Sequence, residues 1–147
     1  MQTTMHVTGG RGVATITIAR SPIEVFGYLA DLRNMVTWWP EHPSYARLHG
    51  DGGNGTIYGW TYFASPVGAL GISIVRAYDP GRRFAYRVAG TGVWVKAEYT
   101  LTAEEGGTLL TVEMRTPLLR LPLFAPRFGA EVSRALDRLA LAIVPAA

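Results

Sequence analysis

The last stretch of the chain, residues 127–144, has a helical spacing of apolar side chains that another part of the molecule must cover. Its apolar residues recur at steps of three and four, which places them on one face of an α-helix. They are Phe128, Val132, Ala135, Leu136, Leu139 and Ile143. Glu131, Arg134, Asp137 and Arg138 fall between them, so we assign these four to the solvent face. An apolar face of this length has to pack against something else.

Strand-like segments earlier in the chain provide the cover. Alternating apolar and polar residues indicate half-buried strands, and clusters of Gly, Pro, Asn and Asp between them indicate turns. The segments are residues 13–19, 45–49, 56–63, 72–78, 84–88, 93–101 and 109–115. Two short helices are predicted after the first strand, because Ser21, Pro22 and Glu24 form a helix start. The sequence therefore predicts an α+β fold, in which a curved antiparallel sheet of about seven strands wraps around a long C-terminal helix.

The last two hairpins allow a check on the faces of this sheet. A loop at residues 104–107 pairs Tyr99 with Val112, Leu101 with Leu110 and Ala97 with Met114, all apolar. Glu98 then faces Glu113 on the polar side. A two-residue turn at residues 90–91 places Tyr86 beside Val95 and Phe84 beside Ala97. A slip of one residue in either turn would pair apolar with charged side chains, so both hairpins indicate the same inner face.

Length and composition limit the classes of protein that this chain can belong to. It has 147 residues and no cysteine, which excludes disulfides and thiolate chemistry. We expect a flexible lead-in at residues 1–12 and a single domain at residues 13–147. Residues 1–11 lack the apolar core of a signal peptide, and no run of ~18 apolar residues occurs. We therefore expect a cytoplasmic protein without an integral membrane segment.

The charge pattern argues against nucleic-acid binding. The formal charge is +3, and the basic residues are spread along the chain with no run longer than Arg82-Arg83. A nucleic-acid-binding protein usually collects its positive charge on one face. No spacing of histidines and carboxylates suggests a metal site, and we expect no cofactor. The oligomeric state is left open between a monomer and a homodimer.

The order of these elements resembles the START-like helix-grip superfamily (SRPBCC), whose bacterial members include the polyketide cyclase/dehydrase and lipid-transport group. The resemblance is carried by residues 18–26, 38–40, 78–84 and 106–108, and it extends over about residues 14–144. It implies a START-like domain with a deep cavity between sheet and terminal helix, which binds an apolar or aromatic molecule. The matching segments are caps, turns and core positions, so the resemblance assigns no catalytic residue.

Aromatic and apolar side chains on the inner faces are the candidates for ligand contacts. They are Trp39, Tyr58, Trp60, Tyr62, Phe84, Tyr86, Tyr99, Val112, Met114, Phe128, Val132 and Leu136. The alternative is that the same rings only fill the core. Tyr58, Trp60 and Tyr62 share one face of their strand, but their own pattern does not say which.

Three polar residues are weak catalytic candidates. His42 follows the second short helix, Tyr86 lies on the predicted inner face, and Arg76 would point inward if Ile72 and Ile74 do. The first hypothesis is a protein that binds a hydrophobic, aromatic or lipid-like small molecule. The second is an enzyme of the polyketide cyclase, aromatase or dehydratase type, in which one of these groups moves protons. The third is a protein-interaction module that uses the apolar residues 118–124.

Overall fold

The computed structural model describes residues 3–90 and 92–143. Its strands are β1 (His6–Thr8), β2 (Arg11–Ile18), β3 (Ser44–His49), β4 (Ile57–Ala64), β5 (Val67–Asp79), β6 (Arg83–Gly90), β7 (Val93–Glu104) and β8 (Gly107–Arg115). Its helices are α1 (Pro22–Leu29), α2 (Met35–Trp38) and α3 (Ala125–Ile143), with 3-10 turns at Leu32–Asn34 and Pro117–Arg120. No helix in the described part of the chain is both long enough and apolar enough to cross a membrane.

One antiparallel sheet contains all eight of these strands. Its order is β1-β2-β8-β7-β6-β5-β4-β3, so β1 and β3 form the two edges. The inner face of the sheet packs on α3, and α1 and α2 close one end. This is the predicted α+β helix-grip architecture, with eight strands where the sequence indicated about seven.

The additional strand lies in the predicted lead-in. Residues 6–8 pair with the start of β2 through a turn at Gly9, whose φ is +60°. Just before this strand, the Thr3 hydroxyl and backbone N–H donate to the Asp137 carboxylate at 2.6 and 3.1 Å. Part of the segment that we expected to be flexible is therefore paired with β2 and tied to α3. A strand of only three residues is too short to show an alternating pattern in the sequence.

The predicted start of the first helix is confirmed. Ser21 caps α1 and accepts from the Glu24 N–H, Pro22 is the first helical residue, and the Ser21 hydroxyl donates to the Glu24 carboxylate at 2.8 Å. The terminal helix begins at Ala125, two residues before its predicted start, and its predicted end at Val144 lies outside the described residues.

The predicted register of the β7–β8 hairpin is confirmed, including the Tyr99–Val112 pair and the facing Glu98 and Glu113. The predicted register of β6 and β7 is wrong by two residues, because Tyr86 pairs with Ala97 and Gly90 pairs with Val93. A shift of two residues keeps every side chain on its face. The inner faces are therefore as expected although the turn is displaced.

Candidate functional site

A partly enclosed cavity of about 250 Å³ lies between the inner face of the sheet and the first turns of α3. Its wall is formed mainly by rings, aliphatic side chains and glycines. These are Met35, Trp39, His42, Tyr45, Trp60, Tyr62, Val67, Gly68, Ala69, Tyr86, Val88, Gly90, Val93, Val95, Ala97, Met114, Leu118, Phe124 and Phe128, joined by Thr116 and Glu131. An apolar cavity with a few convergent polar groups is the usual form of a small-molecule site.

The Trp60 indole lies across three strands because two glycines make room for it. A Cβ on Gly71 would come within 2.6 Å of Trp60 Cζ2, and one on Gly90 within 3.1 Å of Cη2. Either Cβ would also collide with the neighbouring backbone, at 2.4 Å from the Ala89 carbonyl oxygen or 2.6 Å from that of Leu70. The Trp60 Nε1–H is buried and has no hydrogen-bond partner among the described residues.

Glu131 is the acidic group of the cavity wall. Trp39 Nε1 donates to its Oε2 at 2.9 Å, and the Tyr62 hydroxyl donates to its Oε1 at 2.7 Å. Burial raises the pKa of Glu131, and the two donors oppose this effect. The assignment of Glu131 to the solvent face of the helix is therefore wrong, since its residue is only 6% exposed. The spacing of Glu131 could have indicated this burial, because the residue lies three positions after Phe128 and four before Ala135, on the apolar face of the helix.

His42 lies at the same end of the cavity, surrounded by rings. Its ring centroid is 5.3 Å from those of Tyr45, Trp60 and Tyr62. Nδ1 is 3.0 Å from the Thr61 carbonyl oxygen, which can only accept, so Nδ1 carries the proton of the neutral ring and Nε2 the lone pair. Burial lowers the pKa of His42 to about 4. The imidazole is therefore neutral at pH 7.

The predicted ligand-contact residues divide into two groups. Six of them line the cavity: Trp39, Trp60, Tyr62, Tyr86, Met114 and Phe128. The other six are buried in the core away from it: Tyr58, Phe84, Tyr99, Val112, Val132 and Leu136. Tyr58, Trp60 and Tyr62 of β4 all point inward, which their own pattern could not decide, whereas Phe63 of the same strand is exposed. The core group is nearer the α1 end of the molecule, where Phe84 packs edge-on against Phe26.

The three weak catalytic candidates lie in different surroundings. His42 and Tyr86 line the cavity, and the Tyr86 hydroxyl is 2.9 Å from that of Tyr99. Arg76 is exposed on the outer face, beside Arg83 and Arg87. Ser73 and Val75 are the buried residues of this part of β5, and the register is interrupted between Val75 and Ala77. The condition for an inward Arg76, that Ile72 and Ile74 face the core, is therefore not met.

Sequence reasoning did not single out several residues of the cavity wall. Leu118 and Phe124 come from the proline-interrupted linker before α3, which reaches over the cavity. Tyr45 comes from the edge strand β3, whose weak alternation concealed its inward direction. Contacts made by linkers and edge strands depend on tertiary packing and leave no periodic signal.

A broader and more open hollow, of about 860 Å³, lies on the opposite side of α3. The N-terminal segment, the linker and the outer side of α3 form it, and its wall includes Thr3, Arg120, Ser133, Arg134 and Asp137. The Thr3–Asp137 hydrogen bonds already use part of its polar lining. The enclosed cavity is therefore the stronger candidate for a ligand site.

The fold and the enclosed cavity together define a helix-grip protein with an internal apolar site. The chain belongs to the polyketide cyclase/dehydrase and lipid transport family, whose family model matches residues 10–143. None of the curated proteins matches the chain.

Solved structures with the same fold have low sequence identity to this chain. Protein CV1439 from Chromobacterium violaceum aligns with a TM-score of 0.79 and 16% identity, over 95% of this chain and 100% of that one. TTHA0849 from Thermus thermophilus aligns with a TM-score of 0.77 and 17% identity, over 90% and 96%. The ZhuI aromatase/cyclase from a Streptomyces species aligns with a TM-score of 0.71 and 16% identity, over 92% of both chains. At these identities the similarity shows the fold alone.

Proposed function

We propose that this protein binds a compact, largely apolar small molecule in the cavity between the sheet and α3. The observation that carries the proposal is the cavity itself, about 250 Å³ of space enclosed mainly by rings and aliphatic side chains. A cavity of ~150 Å³ in another protein holds benzene. A single ring with a short side chain is therefore the size class that fits, and a whole lipid is too large.

The polar atoms of the wall support a guest with one polar group. The Trp60 Nε1–H has no acceptor among the described residues, and an unpaired buried donor costs about 1–3 kcal/mol. A hydrogen-bond acceptor on the guest could recover this free energy. Burial of the guest's apolar surface would supply most of the affinity, at about 25 cal/mol per Å².

A substitution that fills the cavity tests this proposal. Val88 lines the cavity, whereas the next residue, Ala89, is exposed on the outer face. We expect Val88→Phe to weaken the binding of 2-phenylethanol by roughly tenfold or more, because a new ring would occupy the space. Ala89→Phe adds the same ring outside and should leave binding unchanged. Titration calorimetry, or the emission of the cavity residues Trp39 and Trp60, measures the affinity.

If 2-phenylethanol bound the unchanged protein and both variants equally well, the ligand site would not be this cavity. If it did not bind the unchanged protein at all, and other neutral molecules of one ring also failed to bind, the proposed function would be wrong.

The second candidate function is an enzyme of the cyclase, aromatase or dehydratase type. The observation in its favour is the neutral His42, whose ring lies beside that of Tyr62 in the cavity wall, and Tyr62 in turn donates to Glu131. Such groups can exchange protons with a bound molecule. Formation of a product from a bound molecule would distinguish this candidate from simple binding.

The third hypothesis, a protein-interaction module, rests on residues 118–124. Leu121 and Leu123 of this segment are 50% and 88% exposed, while Leu118 and Phe124 face the cavity. The segment therefore presents apolar side chains on both sides. We keep this hypothesis as secondary, since the enclosed cavity calls for a small molecule rather than a protein.

A further inference from the structure

The charge balance of the cavity wall is unusual for a basic protein. The chain has 14 Lys and Arg residues, yet none of them lines the cavity, and His42 is neutral there. Glu131 is the acidic residue of the wall. A negatively charged guest would therefore meet a carboxylate and no cation, which disfavours carboxylates and phosphates as ligands.

Glu131 forms no salt bridge within residues 3–90 and 92–143, although the nearby charge of Arg134 lowers its pKa and that of Glu41 raises it. Arg134, one turn further along α3, is exposed and approaches Glu41 instead, with Nη2 3.9 Å from Oε2. The two donors to Glu131 are the neutral Trp39 and Tyr62. Buried carboxylates are usually paired with a positive charge, and this one is hydrogen-bonded but not paired.

The carboxylate retains capacity for a further donor. A carboxylate offers about four lone-pair positions, of which Trp39 and Tyr62 occupy two. Rings line the same cavity, with Trp39 and Phe128 on the helical side and Trp60 and Tyr62 on the sheet. The faces of such rings carry partial negative charge and attract ammonium groups.

We propose that the ligand of this cavity is a small aromatic amine, whose protonated nitrogen pairs with Glu131 while its ring occupies the apolar part. The proposal rests on the proposed function and narrows it to one chemical class. It pairs Glu131 but leaves the Trp60 Nε1–H without an acceptor, because an ammonium group only donates. The ammonium group would form with Glu131 the direct ion pair that no side chain of the described residues forms. The ring of the amine would lie toward Val95, Ala97 and Met114, which line the apolar part of the cavity.

Three probes of similar shape but different charge test the proposal. They are 2-phenylethylamine, 2-phenylethanol and phenylacetate, which are cationic, neutral and anionic at pH 7.5. We expect the amine to bind roughly tenfold or more tightly than the alcohol, since close buried charge pairs contribute strongly to affinity. Phenylacetate should bind most weakly of the three. Titration calorimetry at one ionic strength gives all three affinities.

The variant Glu131→Gln removes the charge and nearly keeps the shape. We expect it to abolish the preference for the amine over 2-phenylethanol and to improve the binding of phenylacetate relative to both. Glu105→Gln is the matched control, because Glu105 is an exposed residue of the β7–β8 turn and its loss changes the net charge equally. This control should keep the preference for the amine.

Several results would overturn the proposal. One is an amine that binds the unchanged protein no better than the alcohol, a comparison that needs no variant to fold. Another is a preference for the amine that survives in Glu131→Gln or disappears in Glu105→Gln. In each of these cases the binding of 2-phenylethanol would show that the proposed function still holds. Failure of all three probes to bind would count against both.

Discussion

Burial shifts the pKa values of two residues at the polar end of the cavity in opposite directions. It raises the pKa of Glu131 and lowers that of His42, so in both cases the neutral form gains. The two groups differ in their partners. Glu131 accepts two hydrogen bonds, which support its anion, whereas the Nδ1–H of His42 donates a hydrogen bond to the Thr61 carbonyl oxygen. His42 is therefore uncharged at neutral pH, while the two donors to Glu131 stabilise its carboxylate form against the effect of burial.

The lowered pKa of His42 predicts a loss of stability in acid. Its pKa is about 4 in the folded protein and 6.5 in the unfolded chain. The unfolded state therefore binds more protons between these values, and the free energy of unfolding falls as the pH drops from 6.5 to 4. A difference of this size corresponds to roughly 3 kcal/mol at most. Urea unfolding at pH 7.5 and pH 4.5 measures it.

His42→Asn is the comparison that isolates this effect. The Asn amide can still donate to the Thr61 carbonyl but does not titrate in this range. We expect the variant to lose less stability than the unchanged protein between pH 7.5 and pH 4.5. His49 is exposed, so His49→Asn serves as the control. This variant should lose as much stability between pH 7.5 and pH 4.5 as the unchanged protein. Equal pH dependence in His42→Asn and the unchanged protein would contradict a buried, neutral His42.

Sequence reasoning could find the residues of the site only in part. Periodicity identified Trp60, Tyr62 and Phe128 as members of apolar faces, and they line the cavity. Periodicity assigned Glu131 outward because it treats every charged residue as solvated. The structure buries Glu131 because Trp39 and Tyr62, 92 and 69 residues away along the chain, donate to it. Partners so distant in sequence are brought together only by the complete fold.

At the scale of elements, β4, β5 and β6 are held close by glycines beneath the Trp60 indole. Gly71→Ala would introduce a Cβ 2.4 Å from the Ala89 carbonyl oxygen and 2.6 Å from the indole. We expect a loss of about 1–3 kcal/mol in the free energy of unfolding, together with a shift in Trp60 emission. Chemical denaturation and fluorescence spectra measure the two effects.

Gly68→Ala is the matched control in the same strand. Its new Cβ would lie 3.7 Å from Phe63 Cδ1, an ordinary contact, so its effect should stay within about 0.5 kcal/mol. If the two alanine variants were equally stable, the close packing of the indole on Gly71 would be wrong.

The strands were the most predictable elements. Their pairing could be predicted only up to a shift of two residues, because such a shift keeps every side chain on the same face. Facing apolar residues fixed the Tyr99–Val112 pair, and that pair is confirmed. The pairing of Gly90 with Val93 was missed, because a two-residue displacement leaves both faces unchanged. Gly90 lies within β6, where the close approach of Leu70 and Trp60 requires a glycine. A turn preference alone could not reveal this requirement.

For the whole molecule, the amphipathic terminal helix determined the fold class, and the sheet forms around its apolar face as predicted. The size of the cavity could not be predicted in this way. It depends on which inward side chains are packed completely into the core, such as Tyr99 and Val112 at 0% exposed, and which border open space, such as Val95. Both groups have the same pattern in the sequence.

The central claim, that a small molecule binds inside the cavity, is tested most directly by nuclear Overhauser effects to methionine methyl groups. Met35 and Met114 line the cavity, whereas Met5 is buried on the other side of α3, beside the open hollow. In protein labelled with ¹³C at the methionine methyls and saturated with 2-phenylethanol, we predict intermolecular effects from the probe ring to Met35 and Met114 and none to Met5. Effects to Met5 alone, or to no methionine while the probe is bound, would contradict the account.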